Sequence, residues 1–306
     1  MQAREIADQQ YTIEHYLGRS NRKTLPLDRR FVQRRDDNNR PGPGPLGEFV
    51  RRSRETALDQ YLWLHAVASS NNDGRFDVRL PATTWARAVG GYFDPKTGVV
   101  EPAALHAVSR NWRLLQQFGL IDRQRVGRRV RVWLLADDGS GDPYEHPGEG
   151  TEGKTLDGGP GYVQLPYAYW YDRWHERLSL AAKAVLLIAM AAGDGFALPY
   201  TKFQDWYGVS ASTGERGLTE LRERNLLHRE QHRRPDTESP VGFSDVYHYE
   251  LLPPFGPRNA LSKSAPPFWS GPPKAKVSGK RRRASRSAKA SKKAATPGRT
   301  RSRRSE

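Results

Sequence analysis

One local pattern occurs twice in this chain, about a hundred residues apart. A chain that repeats a supersecondary unit is confined to folds built from that unit. The first copy reads Arg110-Asn111-Trp112-Arg113-Leu114-Leu115-Gln116-Gln117-Phe118-Gly119-Leu120-Ile121-Asp122-Arg123. The second reads Arg216-Gly217-Leu218-Thr219-Glu220-Leu221-Arg222-Glu223-Arg224-Asn225-Leu226-Leu227-His228-Arg229. A shift of 106 positions lays Arg110 on Arg216, Trp112 on Leu218, Leu115 on Leu221, Gly119 on Asn225 and Arg123 on Arg229. Each copy is a helical face that stops at Gly or Asn, residues able to take the left-handed cap conformation. An apolar pair and a polar, basic strand follow.

The upstream halves repeat with a different shift. Leu80-Pro81 falls on Leu198-Pro199, Trp85 on Phe203 and Gly90 on Gly208, all at 118 positions. The first copy therefore carries 12 extra residues, around Gly91-Tyr92-Phe93-Asp94-Pro95-Lys96-Thr97-Gly98, which is loop chemistry. The second keeps a short link, Gly208-Val209-Ser210.

Apolar periodicity predicts helices over 55–70, 82–89 and 102–118, a short strand over 76–80, and a hairpin of 120–124 with 129–135. In that hairpin Val130, Val132 and Leu134 face one side and Arg129, Arg131 and Trp133 the other. The second copy repeats this with a strand at 162–165, helices over 178–192, 200–207 and 213–224, and a wing over 228–252. Ser212-Thr213-Gly214-Glu215 fits a capping box with Ser212 as N-cap. The expected fold is mainly α with small β-hairpins, an α+β class. Residues 1–53 are expected to be a polar arm and linker, 54–137 a first domain, 138–161 a Gly/Pro/acidic linker, 162–254 a second domain, and 255–306 a disordered basic tail.

The net charge of +16 is unevenly placed. Residues 257–306 hold 16 of the 50 Lys and Arg and one of the 34 acids, so this segment carries +15 and the rest +1. The absence of cysteine excludes disulfides, thiolate zinc sites and cysteine nucleophiles. The start of the chain is polar, unlike a signal peptide, and the longest apolar run, 184–192, is about half the ~20 residues of a membrane span. The expected location is cytoplasmic and nucleoid-associated.

Taken together, Val108-Ser109-Arg110 through Arg131 and Gly208-Val209-Ser210 through Arg229 resemble the helix-turn-helix and wing of winged-helix domains. The chain is similar to tandem winged-helix DNA-binding proteins over 54–137 and 162–254, among them actinobacterial helix-turn-helix regulators and plasmid replication initiators built from two winged helices. The resemblance implies binding to a defined double-stranded DNA site and a role in transcription regulation. Replication initiation at a plasmid or mobile-element origin and a protein-interaction scaffold are the alternatives. A homodimer stays open; no enzyme activity, cofactor, metal or membrane partner is expected.

A helical wheel puts His106, Arg110, Arg113 and Gln117 opposite the apolar side of the first reading helix. In the second copy Ser212, Arg216, Thr219 and Glu223 lie opposite. Arg110 and Arg216 are outermost, where a guanidinium forks onto guanine in the major groove. His106, Ser212 and Thr213, near the helix starts, suit base edges or phosphate. The wing arginines Arg123, Arg125, Arg128, Arg129 and Arg131, and in the second copy Arg229, Arg233 and Arg234, suit backbone or minor-groove contact. Lys280, Arg281, Arg282 and Arg283 form the densest cluster of the tail. Against this stands the ordinary reading of exposed arginines as solvated surface, and Glu215, Glu220 and Glu223 repel phosphate.

Two further motifs carry less. Gly148-Glu149-Gly150-Thr151-Glu152-Gly153-Lys154-Thr155 matches the phosphate-loop pattern, but it lacks the preceding strand and following helix, and its glutamates repel a nucleotide. His228 and His232 flank Glu230; on a helix they would share a metal, but they fall in the wing and have no third ligand in the sequence nearby. No His-x-His pair of the DNA-nicking type occurs.

Overall fold

In the computed structural model, residues 6–71, 73–94, 96–127, 129–146, 161–193 and 195–256 are described. They are about 41% helix and 24% strand, arranged in small sheets, a mixed α+β fold. The expectation of a polar arm over 1–53 is replaced by a run of short elements. Helix α1 (Gln9–Leu17) starts at Asp8, whose carboxylate accepts from the Tyr11 N–H at 2.7 Å. Strand β1 (Thr24–Asp28) buries Leu25 and Leu27. Strands β2 (Gln33–Arg35) and β3 (Pro41–Pro43) form a hairpin, and α2 (Leu46–Arg51) follows. Ile13, Leu17, Phe31, Val32, Leu46 and Phe49 are all buried. Each element is too short to show a period of its own; burial against the rest of the chain holds it in place.

The first copy then begins. Helix α3 (Glu55–Val67) is buried on nearly every side, β4 (Ser69–Ser70) and β5 (Phe76–Val78) follow, and then come α4 (Ala82–Ala88) and α5 (Pro102–Gln117). Pro102 starts α5, where its missing N–H costs nothing. The hairpin is β6 (Ile121–Val126) with β7 (Arg129–Leu134). The sheet order is β4-β5-β7-β6. Trp133, expected on the solvent side of β7, is buried because Arg75 and Arg131 lie over its ring at 5.2 and 5.0 Å.

The second copy uses β8 (Tyr162–Pro166), the short helices α6 (Ala168–Tyr171) and α7 (Trp174–Arg177), and α8 (Leu180–Ala192), which is capped by Ser179. Then come β9 (Phe196–Ala197), α9 (Phe203–Tyr207), α10 (Ala211–Glu223), β10 (Leu227–Pro235) and β11 (Phe243–Leu251). Its sheet order is β10-β11-β9. Both copies thus place the last strand between its hairpin partner and a short early strand. Gly119 ends α5 at φ 68° and Asn225 ends α10 at φ 57°, the left-handed caps the sequence predicts. Strand β8 pairs antiparallel with β1, Leu165 opposite Leu25 and Val163 opposite Leu27, so the N-terminal segment is tied into the second copy.

The described residues belong to one compact unit whose core runs from Ile13 to Phe255. The first and second copies share that core. Trp63 packs edge-on to Trp170 with centroids 6.1 Å apart, and the Tyr167 hydroxyl donates to the Ala66 carbonyl at 3.1 Å. Lys183 of α8 is 2% exposed, with Nζ 2.7 Å from Glu55 and 2.8 Å from Asp59 of α3. Within the expected tail of 255–306, Phe255 is buried against Tyr169 and Trp174. The phosphate-loop match at 148–155 and residues 257–306, with Lys280, Arg281, Arg282 and Arg283, lie outside the described residues.

Candidate nucleic-acid interface

Helix α5 is positioned by its apolar side. Val108, Trp112 and Leu115 are buried, and Trp112 meets Trp85 of α4 edge-on with centroids 4.8 Å apart. Asn111 is buried too; its amide donates to Gln60 of α3 at 3.0 Å and fixes the rotation of α5 on α3. The opposite side presents His106, Arg110, Arg113 and Gln117, all exposed as the helical wheel predicts, and Gln116 is exposed beside them. No acid occurs anywhere in α5. A polyanion laid along this face meets donors and positive charge within the helix, with the exposed Glu101 at its N-cap as the nearest acid in sequence.

Helix α10 is held more closely. A Cβ on Gly217 would lie 2.5 Å from the Ala181 carbonyl oxygen, and one on Gly214 would meet the Phe203 ring at 2.6 Å, so both glycines permit contact that no larger residue allows. The predicted capping box, with Ser212 as N-cap and Glu215 reaching back, does not form. Ser210, not Ser212, is the N-cap: its backbone is extended and its Oγ accepts from the Thr213 N–H at 3.2 Å. Ser212 falls inside the first turn and is exposed. Arg216 is exposed and donates to Thr213 Oγ1 at 3.2 Å; Thr219 is exposed and Thr213 half-buried. This face differs from that of α5 in its acids. Glu220 is taken up by Ser179 and by Arg224 at 3.1 Å, but Glu215 and Glu223 stand exposed beside Arg216.

The β6–β7 hairpin keeps part of its predicted set. Arg125 and Arg129 are exposed and Arg123 half-buried; Arg123 donates to Gln116 of α5 at 3.0 Å, which ties the wing to the helix, and Arg125 donates to the Gly127 carbonyl at 3.2 Å. Arg131 does not belong to this set. Its Nε lies 2.7 Å from Asp77 of β5 and its guanidinium covers Trp133. The hydrogen bonds from Arg131 hold the Asp77 carboxyl below the ordinary carboxylate value. The pairing was hidden in sequence because Asp77 lies 54 residues upstream, on a strand brought alongside by the sheet. Arg128 lies outside the described residues.

The β10–β11 hairpin is longer. Its register sets Arg229 opposite Tyr249 and Arg233 opposite Asp245. Arg229 lies over the Tyr247 ring at 4.6 Å, and Arg233 over Phe243 at 3.9 Å with Asp245 at 3.4 Å, while Arg234 is exposed. Cation–π contact leaves a guanidinium edge free to donate, whereas the carboxylate partner of Arg233 competes with phosphate. His228 and His232 are on strand β10, so about 13 Å of chain separates them and they cannot share one metal. His232 instead meets His248 edge-on at 4.8 Å. Among the described residues no group of three or more His, Cys, Asp or Glu is arranged to hold a metal, and no helix is long and apolar enough to cross a membrane.

The structure adds one basic element that sequence reasoning missed, the β2–β3 hairpin with exposed Arg34, Arg35 and Arg40. The signal was present as Arg-Arg-Asp-Asp-Asn-Asn-Arg, four turn-forming residues flanked by arginine, but prolines at 41 and 43 argue against a strand there. No protein-family profile, curated protein or solved structure matches the chain.

Proposed function

We propose that this chain is a non-enzymatic, sequence-specific DNA-binding protein made of two winged helices in tandem, acting in transcription regulation. The observation that carries this reading is the acid-free face of α5, where Arg110 and Arg113 stand exposed on a helix locked from behind by Trp112 and Asn111. A rigid helix with an outermost arginine is the device that reads guanine in a major groove. Support also comes from the equivalent sheet order of the two copies and from the +15 of residues 257–306. The second copy contributes Arg216 and the stacked arginines of its wing.

The test is selection of a bound duplex from a randomised pool, followed by titration of Arg110→Ala on it. A loss of ~1–3 kcal/mol, with relaxed preference at one base pair, is expected. Equal weakening on selected and random duplex would refute base reading by Arg110. An unchanged affinity would make the first copy a docking module.

A further inference from the structure

The acids of α10 raise a question of charge. A duplex laid along that helix meets Glu215 and Glu223, neither of which has an ion-pair partner among the described residues, together with the exposed Arg216 and Arg222. Positive charge has to reach that duplex from another element if the second copy is to hold it. Besides the arginines of β10, one such element lies outside the second copy's own sequence: the β2–β3 hairpin of the N-terminal segment.

Two contacts fix the hairpin, and a third the α2 that follows it, against the turn between α9 and α10 of the second copy. Gln33 hydrogen-bonds Tyr207, the last residue of α9. Gly208, at the turn into α10, sits so close that a Cβ there would lie 3.2 Å from Pro43 Cβ and 3.4 Å from Gly47 Cα. A Cβ on Gly47 would lie 2.6 Å from the Tyr207 carbonyl oxygen. The base of the hairpin is therefore packed on the turn that precedes α10, and its tip is exposed.

The tip is built to present cations. Asp36 is turned inward on its own backbone, accepting from the Asn38 and Arg40 N–H groups at 2.9 and 2.8 Å. Asn39 takes a left-handed conformation at φ 59° and receives Arg35 Nη1 on its carbonyl and side-chain oxygens at 3.1 and 3.2 Å, which holds the Arg35 side chain along the hairpin. The Arg40 guanidinium has no partner among the described residues, and Asp37 is the one acid of the tip not bound into the turn.

We propose that the β2–β3 hairpin is a DNA-contacting wing lent to the second copy by the N-terminal segment, with Arg35 and Arg40 on backbone phosphates beside the start of α10. This rests on the DNA-binding reading above and names a site within it. Phosphate contact by arginine positions the duplex without choosing sequence. It supplies the charge that Glu215 and Glu223 remove.

The experiment uses the full chain and a fluorescein-labelled duplex taken from the selection described above, titrated between 50 and 200 mM salt. Each lost phosphate contact flattens the log–log salt slope by about 0.9, which is about a 3.5-fold smaller change in affinity across that range. Arg35→Gln and Arg40→Gln are each expected to do this, and the double variant to flatten the slope by about 1.8. Site preference should be unchanged. Arg19→Gln, an exposed arginine elsewhere in the same segment, is the control and should leave the slope as it is. A double variant with the wild-type slope would overturn the hairpin's role while Arg110→Ala still tested base reading. Equal flattening by Arg19→Gln would overturn it too, showing long-range charge in place of contact. A wild-type chain that binds no duplex would remove the DNA reading and the hairpin with it.

Discussion

Lys183 is the group whose removal should cost this fold most per atom, and the cost should depend on pH. It leaves α8 of the second copy and ends on Glu55 and Asp59 of the first, at 2.7 and 2.8 Å. The two carboxylates are not equivalent. Glu55 is 42% exposed, so water supports its charge, and its pairing with Lys183 contributes at most ~1 kcal/mol. Asp59 is 14% exposed, and burial raises its pKa from 3.8 to about 6 in spite of Lys183 and of the Tyr169 hydroxyl at 3.4 Å. The folded protein therefore keeps a proton on Asp59 that the unfolded chain has already released between about pH 4 and 6. Stability falls as pH rises through that window, by about 3 kcal/mol from this group. Lys183→Met keeps the stem volume and deletes the charge. Above pH 6 it leaves the Asp59 carboxylate buried and unpaired, which costs ~3–5 kcal/mol. At pH 5 Asp59 is mostly protonated in both proteins, and only the Glu55 pairing of ~1 kcal/mol is lost. Urea unfolding at pH 5 and pH 8 measures both figures, and Asp59→Asn should flatten the fall between pH 4 and 6. Equal costs of Lys183→Met at the two pH values, or an Asp59→Asn profile as steep as wild type, would refute the reasoning.

Two further outcomes follow from the interface. Arg131→Ala should lower stability through loss of the Asp77 pair and the cover on Trp133, and leave duplex affinity within twofold, in contrast to its neighbours on the β6–β7 hairpin; a selective loss of DNA binding without destabilisation would return it to the contact set. Deleting residues 257–306 removes 16 basic residues and should flatten the salt slope by several units, cut random-duplex binding most and leave site preference intact; unchanged slopes would assign that segment to something other than phosphate.

What could be read from sequence was what repeats with a helical or strand period. The wheel placed Val108, Trp112 and Leu115 inward and Arg110 outward, and Gly119 and Asn225 were recognisable as left-handed ends because few residues tolerate positive φ. What could not be read depends on partners far away in the chain. The N-terminal segment gains its structure by burial of scattered residues such as Ile13 and Leu25, and no local window of it looks like a folded element. Ser210 and Ser212 are both acceptable caps by type; the backbone settles the choice two residues earlier because α10 starts at Ala211. The fate of Arg131 was set by Asp77, a residue on another strand.

The two copies are related but not equivalent, and the 12-residue insertion shows how they diverged physically. At the 106-residue shift, Ala211 at the start of α10 corresponds to Leu105, yet α5 begins at Pro102. Three of the inserted residues therefore extend α5 by most of a turn at its N-terminal end. The others make a turn closed by the Phe93–Val100 bridge, with Val100 buried and the Arg87 guanidinium on the Gly98 carbonyl at 3.0 Å. The extended end follows Glu101 as its N-cap, and it brings His106 most of a turn deeper into the helix than its counterpart Ser212. The second copy has the shorter helix, two exposed glutamates and a hairpin borrowed from elsewhere in the chain. On the proposed reading, base choice belongs mainly to the first copy, and the second serves to hold the duplex in place.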